Sequence, residues 1–169
     1  MRPIAEFKKV SEEIFVGKAC ELLDITQEQA RAAYDGIAIP RRATVGSAGY
    51  DITLPFDITL EAGEWMTIPT GIRARIDEGW VLLIVPRSGL GARYRFQLNN
   101  SVGVIDSDYY HADNEGHIMV PMINDSRNGK TLELKAGTAF AQGVFVPFGI
   151  AAEEEVVTVR TGGFGSTTK

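Results

Sequence analysis

Two textures divide the pattern of apolar and polar positions along this chain. From about Ser11 to Asp35 the sequence is poor in glycine and friendly to helix. Ile14, Phe15, Leu22 and Leu23 supply the apolar side of a first helix. Thr26-Gln27-Glu28-Gln29 has the form of a capping box that opens a second, since a hydroxyl at the cap and an amide three residues on can satisfy each other's free backbone N–H. Ala30, Ala32 and Ala33 extend that helix, and Gly36 stands where a stop is expected. From Ile37 onward, short β-prone runs take over at 50–54, 65–68, 72–76, 80–86, 101–105, 117–123, 132–134, 140–148 and 156–159. Turn formers such as Asp77-Glu78-Gly79, Asn128-Gly129 and Lys135-Ala136-Gly137 separate them. Many short strands without βαβ alternation predict a sandwich, jelly roll or barrel and weigh against a doubly wound sheet. The tail differs again, with three glycines, small hydroxyl residues and one phenylalanine after Arg160.

Composition narrows the class. A chain of 169 residues with 44% apolar and 23% charged side chains is long enough for one packed domain without crosslinks. The single cysteine, Cys20, cannot form an internal bridge, so a reducing cytoplasm is the expected setting, whether of a cell or of a virus's host. With no Cys or His companion nearby, Cys20 reads as a buried structural thiol. A formal charge of −5 with no basic tract beyond Arg41-Arg42 argues against stable nucleic-acid binding, but leaves room for a small polyanion held by a few local donors. The apolar run 81–85 is far too short to cross a membrane, and the charged N-terminus does not read as a signal peptide.

Five clusters carry candidate chemistry. Ala48-Gly49-Tyr50-Asp51-Ile52 feeds a carboxylate into a strand. Pro86-Arg87-Ser88-Gly89-Leu90 ends an apolar strand with a guanidinium, a hydroxyl and backbone amides beside glycine, donors that suit phosphate oxygens. In Asn100 to Tyr109 a strand with Gly103 in its interior runs into Asp106 and Asp108; the glycine predicts close approach of a ligand or another backbone, and a strand-end carboxylate can act as a general base. Gln142 sits polar within an apolar run and needs a partner if buried. Arg160-Thr161-Gly162-Gly163-Phe164-Gly165-Ser166-Thr167 could wrap phosphates and stack a ring, although it lacks the Gly-Lys-Ser/Thr ending of a Walker A loop. Taken alone, Asp51 reads more simply as a turn or strand-edge carboxylate and the last segment as a disordered tail, while the other clusters are equally consistent with an ion pair, a hairpin corner or a structural hydrogen bond.

In this order, the five resemble the motifs of the trimeric dUTPase family, from about Ile39 to Thr167. The resemblance implies an all-β, jelly-roll-like barrel over 37–159, a helical N-terminal extension over 1–36, and a flexible arm over 160–169 that closes the active site. It implies a homotrimer with shared active sites that hydrolyses dUTP to dUMP and pyrophosphate with Mg²⁺. By the same resemblance, Asp106 holds and deprotonates the attacking water. Asn100 and the backbone of Gly103, Val104 and Ile105 read the uracil edge, Tyr109 packs on the deoxyribose, and Met119 adds a contact near the base or sugar. Arg87, Ser88, Gly89, Gln142, Arg160, Gly165, Ser166 and Thr167 bind phosphates, Phe164 closes over uracil, and Asp51 contacts Mg²⁺ through water. A dCTP deaminase or bifunctional deaminase–diphosphatase of the same fold, and a nucleotide-sensing regulatory module, are the alternatives.

Three features depart from the family pattern. Ala139 stands where arginine is usual; residues 110–115 lengthen the loop after Tyr109; and the segment before Ile37 lies outside the match. Within that loop His111, Asp113, Glu115 and His117 have the residue types of a metal site, but read more simply as a solvated loop.

Overall fold

The computed structural model describes residues 2–152, so the expected strand at 156–159 and the arm from Arg160 lie outside the described residues. The chain opens with β1 (Ala5–Lys9), then α1 (Glu12–Leu22) and α2 (Gln27–Gly36). Ser11 caps α1 by accepting from the Ile14 amide, and the capping box of α2 is present in full: Gln29 N donates to Thr26 Oγ1 and Thr26 N donates to Gln29 Oε1. The apolar face of α1 differs from the expected one. Phe15, Val16 and Ala19 are buried, whereas Leu22 is exposed, because the helix packs its middle turns down and its end runs off the barrel. Cys20 is half-buried against the same cluster rather than enclosed.

Strands β2 (Arg41–Arg42), β3 (Tyr50–Thr53), β4 (Ile58–Leu60), β5 (Trp65–Pro69), β6 (Ile72–Ile76) and β7 (Trp80–Pro86) follow. Then come a short helix α3 of about two turns (Ser88–Tyr94), β8 (Phe96–Leu98), β9 (Gly103–Ile105), a 3₁₀ turn at Ser107–His111, β10 (Met119–Asn124), β11 (Leu132–Leu134) and β12 (Ala139–Pro147). Among the described residues all pairings are antiparallel, and three nest one inside another: β3 with β12, β4 with β11, β5 with β10. The chain therefore runs out and returns along itself as a doubled ribbon, the topology of a jelly roll. The all-β expectation is met.

Alternation along the strands builds the core. In β10 the buried residues are Val120, Met122 and Asn124, and in β7 they are Leu82 and Ile84. The apolar ones among these join Ile52, Ile68, Phe96, Leu98, Ile118, Leu132 and Phe140 in one cluster inside the barrel. A second, smaller cluster (Val10, Phe15, Val16, Ala19, Ala30, Ile37 and Ile72) glues the N-terminal layer to the outside of β6. That layer also contributes β1, which pairs with β6 from Ala5 opposite Ile76 to Lys9 opposite Ile72. Tyr34 closes it by donating its hydroxyl to the Val10 carbonyl at 2.7 Å.

Candidate functional site

The candidate residues fall into two groups on one sheet, whose strand order is β2-β3-β12-β7-β9: one at the end of β7 where Arg87 stands, the other along the outer strand β9. The first group gathers Asp51, Arg87, Ser88, Gly89 and Gln142. Register brings them together: Gln142 on the central β12 stands opposite Asp51 on one side and Val85 on the other. Arg87 follows directly on β7, and its amide donates to Phe140 O at 3.2 Å. Its guanidinium Nη1 donates to Asp51 Oδ1, and both side chains remain partly open to solvent. Gln142 points its amide nitrogen at Pro86 O across a long 3.5 Å. Ser88 and Gly89 begin α3 with exposed backbone, and the Arg87 side chain does not cap them. One carboxylate, one guanidinium and a set of neutral donors thus share one corner.

The second group lies along β9 and its flanks. Asn100 is exposed in the turn between β8 and β9, where Ser101 takes a left-handed φ of 71°. Gly103 and Ile105 face the core, while Val104 faces outward and is 49% exposed. A Cβ on Gly103 would stand 3.0 Å from the Cβ of Ile84, so the glycine admits the neighbouring strand's side chain rather than a ligand or bare backbone. Among the described residues β9 ends the sheet order, which leaves the backbone of its outer edge available to another partner. Asp106 comes next, exposed, with extended backbone at the start of the 3₁₀ turn.

Tyr109, three residues on, is 2% exposed and belongs to the barrel core. Its hydroxyl donates to His117 O at 2.8 Å and accepts from Asn114 Nδ2 at 2.8 Å. Met119 is half-buried at the first position of β10, opposite Pro69, two residues past that carbonyl. Arg160, Phe164, Gly165, Ser166 and Thr167 lie outside the described residues.

Register also separates Asp106 from Arg87. Ile105 stands opposite Leu82, which sets Asp106 level with Val81, and Arg87 is six residues further along β7. At about 3.3 Å per residue that is roughly 20 Å. Within one chain, Asp106 and Arg87 thus stand far apart along the sheet.

The loop of 110–117 is a third feature, and it is not a solvated one. His111 and Asp113 are exposed, but Glu115 accepts from the Ser11 amide at 2.9 Å and faces Arg73 Nη1 at 3.5 Å. The Ser11 amide, then Arg73, holds the Glu115 carboxyl below its usual range against the opposing effect of burial. His117 is fully buried beside Phe15 and accepts from Gly71 N through Nε2 at 2.9 Å. Its pKa is lowered to about 4, first by desolvation and then by the positive charge of Lys18. These four side chains form no metal-binding group, and none of three or more such residues occurs among the described residues. No helix among the described residues is long and apolar enough to cross a membrane.

A barrel with a phosphate-suited corner and an open backbone edge beside a strand-end carboxylate defines a nucleotide-handling β protein. Comparison with known proteins makes this specific. The dUTPase family model matches residues 35–168. The chain is 44% identical over 135 residues to the deoxyuridine 5'-triphosphate nucleotidohydrolase of Lactococcus lactis, covering 78% of this chain and 89% of that one. It is 42% identical over 139 residues to the corresponding protein of Haemophilus ducreyi, covering 78% and 87%. Among solved structures, the dUTPase of Streptococcus mutans superposes with a TM-score of 0.64 at 34% identity, over 86% of this chain and 97% of that one. The chain belongs to the dUTPase family.

Proposed function

We propose that this dUTP diphosphatase cuts its substrate between the α- and β-phosphates by attack of water on the α-phosphorus, in sites shared among three copies of the chain. The observation that carries the reading is the separation of Asp106 from Arg87 along β7 and β9. A deoxyuridine lying on the edge of β9, base toward Asn100 and Gly103 to Ile105, directs its phosphates past Asp106 and away from the same chain's Arg87. A second copy must then supply the corner of Arg87, Ser88, Gly89 and Gln142. Closed three-fold symmetry satisfies every such half-site at once.

The roles follow from chemistry. An edge of fixed backbone donors and acceptors reads uracil strictly, because a mismatched base would strand buried polar groups. Tyr109, with its hydroxyl engaged on both sides, gives the sugar a rigid wall. Asp106 orients the water and takes its proton. Arg87 and the arm's Arg160, Gly165, Ser166 and Thr167 gather the phosphates, Phe164 covers the base, and Met119 stands near the sugar. The cytoplasm is the compartment for such a reaction.

The donor set of the phosphate corner fits Mg²⁺. It holds one carboxylate, Asp51, beside the neutral side-chain oxygens of Ser88 and Gln142, and this hard cation takes few protein ligands, all oxygens, keeping waters and phosphate oxygens for the rest. Asp51 would hold the ion through water. When bound, the ion neutralises charge on the phosphates and the leaving pyrophosphate.

Complementation tests the shared site. Asp106→Asn keeps dUTP binding and loses about 10²–10⁴ in turnover, as loss of a positioned base does. Arg87→Ala is expected to be impaired through phosphate binding. Co-assembled in equal amounts, the two variants regain activity at about a quarter of sites, those pairing an intact Asp106 with an intact Arg87 from another copy. No recovery in verified mixed assemblies places both residues in one chain's site and refutes the reading.

A further inference from the structure

The loop of 110–117 is built around one side chain. Gly116 adopts a φ of 68°, and a Cβ there would fall 2.6 Å from Tyr109 O and 2.8 Å from the Tyr110 Cα, so the returning chain lies directly on the backbone of Tyr109. Glu115 beside it is also left-handed, at φ 57°. A non-glycine residue in that region is uncommon and persists only when its surroundings hold it. Those surroundings are the Ser11 amide and Arg73 on the Glu115 carboxylate, with Arg73 Nη2 also donating to Tyr110 O at 2.5 Å and its guanidinium stacked 3.7 Å over the Tyr110 ring. On the inner side, Asn114 accepts from Gly116 N through Oδ1 at 3.2 Å and donates through Nδ2 to the Tyr109 hydroxyl at 2.8 Å. That hydroxyl in turn donates to His117 O. Donor and acceptor run in one direction, and the phenol has no rotational choice left.

We propose that Asn114 is a positioning residue for sugar selection: braced by the loop, it fixes the Tyr109 ring and thereby sets how strictly a 2'-hydroxyl is refused. This rests on the reading of Tyr109 as the wall beside the deoxyribose. Without the Asn114 bond the phenol loses the donor that fixes it on one side, gains freedom to tilt, and admits the larger ribose.

Three variants test it by the ratio of kcat/KM for dUTP to that for UTP. Asn114→Ala removes both bonds. Asn114→Asp keeps the acceptor for Gly116 and exchanges the donor to the phenol for a second acceptor, so that the carboxylate competes with His117 O for the phenol's one hydrogen while the loop contact is kept. Both are expected to lower the ratio about 5- to 30-fold, the loss of roughly one to two kcal/mol, chiefly through gained UTP turnover. Tyr109→Phe removes the phenol's oxygen, and adding Asn114→Ala to it should change the ratio less than about twofold. If Asn114→Ala keeps the native ratio while Tyr109→Phe or Tyr109→Ala lowers it, Asn114 does not position the ring, and the role of Tyr109 stands. An equal effect of Asn114→Ala with and without the Tyr109 hydroxyl also overturns the proposal. If no change at 109 or 114, Tyr109→Ala included, alters the ratio, the sugar role of Tyr109 itself fails.

Discussion

Asp51 and Arg87, 36 residues apart in sequence, face each other across the end of the sheet, with the guanidinium donating to the carboxylate and Gln142 on the strand between them. Neither side chain is enclosed, so the pair adds little stability by itself. Its consequence is one of placement. The carboxylate holds the arginine fork at the mouth of the corner, where a phosphate can take over one of its bonds without the guanidinium having to be ordered anew.

Arg87→Lys should therefore weaken dUTP binding by about 10- to 100-fold, since a lysine keeps the charge and loses the planar fork worth some 1.5–3 kcal/mol in charge-assisted bonds. The check is KM and the affinity of a non-hydrolysable dUTP analogue, with thermal unfolding as control. Unchanged affinity would remove Arg87 from the phosphate set.

Much of this arrangement was legible in the residues, and what was not has identifiable reasons. The capping box at Thr26–Gln29 is local chemistry and is found as read. The strands 72–76, 80–86 and 132–134 stand where alternation or an apolar run marks them. Strand β1 was missed because its five residues carry Glu6, Lys8 and Lys9 and gain their place only by pairing with β6. Helix α3 was missed because Gly89 and Gly91 argue against a helix in a segment that otherwise reads as a turn. Burial of Tyr109 and His117 depends on a loop folding back across eight residues, which no period in the sequence announces. The distance between Asp106 and Arg87 follows from the partnership of β7 with β9, a long-range fact.

Gly49 has its own test. A Cβ built on it would collide with the side-chain amide of Gln142. Gly49→Ala should push that amide out of the phosphate corner and raise KM for dUTP roughly fivefold, the scale of one lost hydrogen bond, with little change in melting temperature. A native KM would show that the amide is not used.

His117 predicts an acid-sensitive fold. Its pKa falls from 6.5 to about 4 on folding, because burial next to Phe15 and near Lys18 disfavours the imidazolium. The unfolded chain binds the proton first as pH drops. The stability tied to neutral His117 is thus complete above pH 6.5 and drains away toward pH 4, with about 2 kcal/mol gone between pH 7 and pH 5. Glu115, whose pKa is lowered, adds a further loss in the same direction at lower pH, below the usual carboxylate value of 4.5. Urea unfolding at pH 7 and 5 measures it, and His117→Gln, which can still accept from Gly71 N, should flatten the dependence. An equal slope in that variant would assign the effect elsewhere.

The most direct measurement of the central claim is hydrolysis of dUTP in water enriched in oxygen-18. Water held by Asp106 and delivered to the α-phosphorus must leave the heavy oxygen in dUMP, with unlabelled pyrophosphate. Label found in the pyrophosphate instead would mean attack on the β-phosphorus, and would contradict the placement of the nucleotide along β9 proposed for this chain.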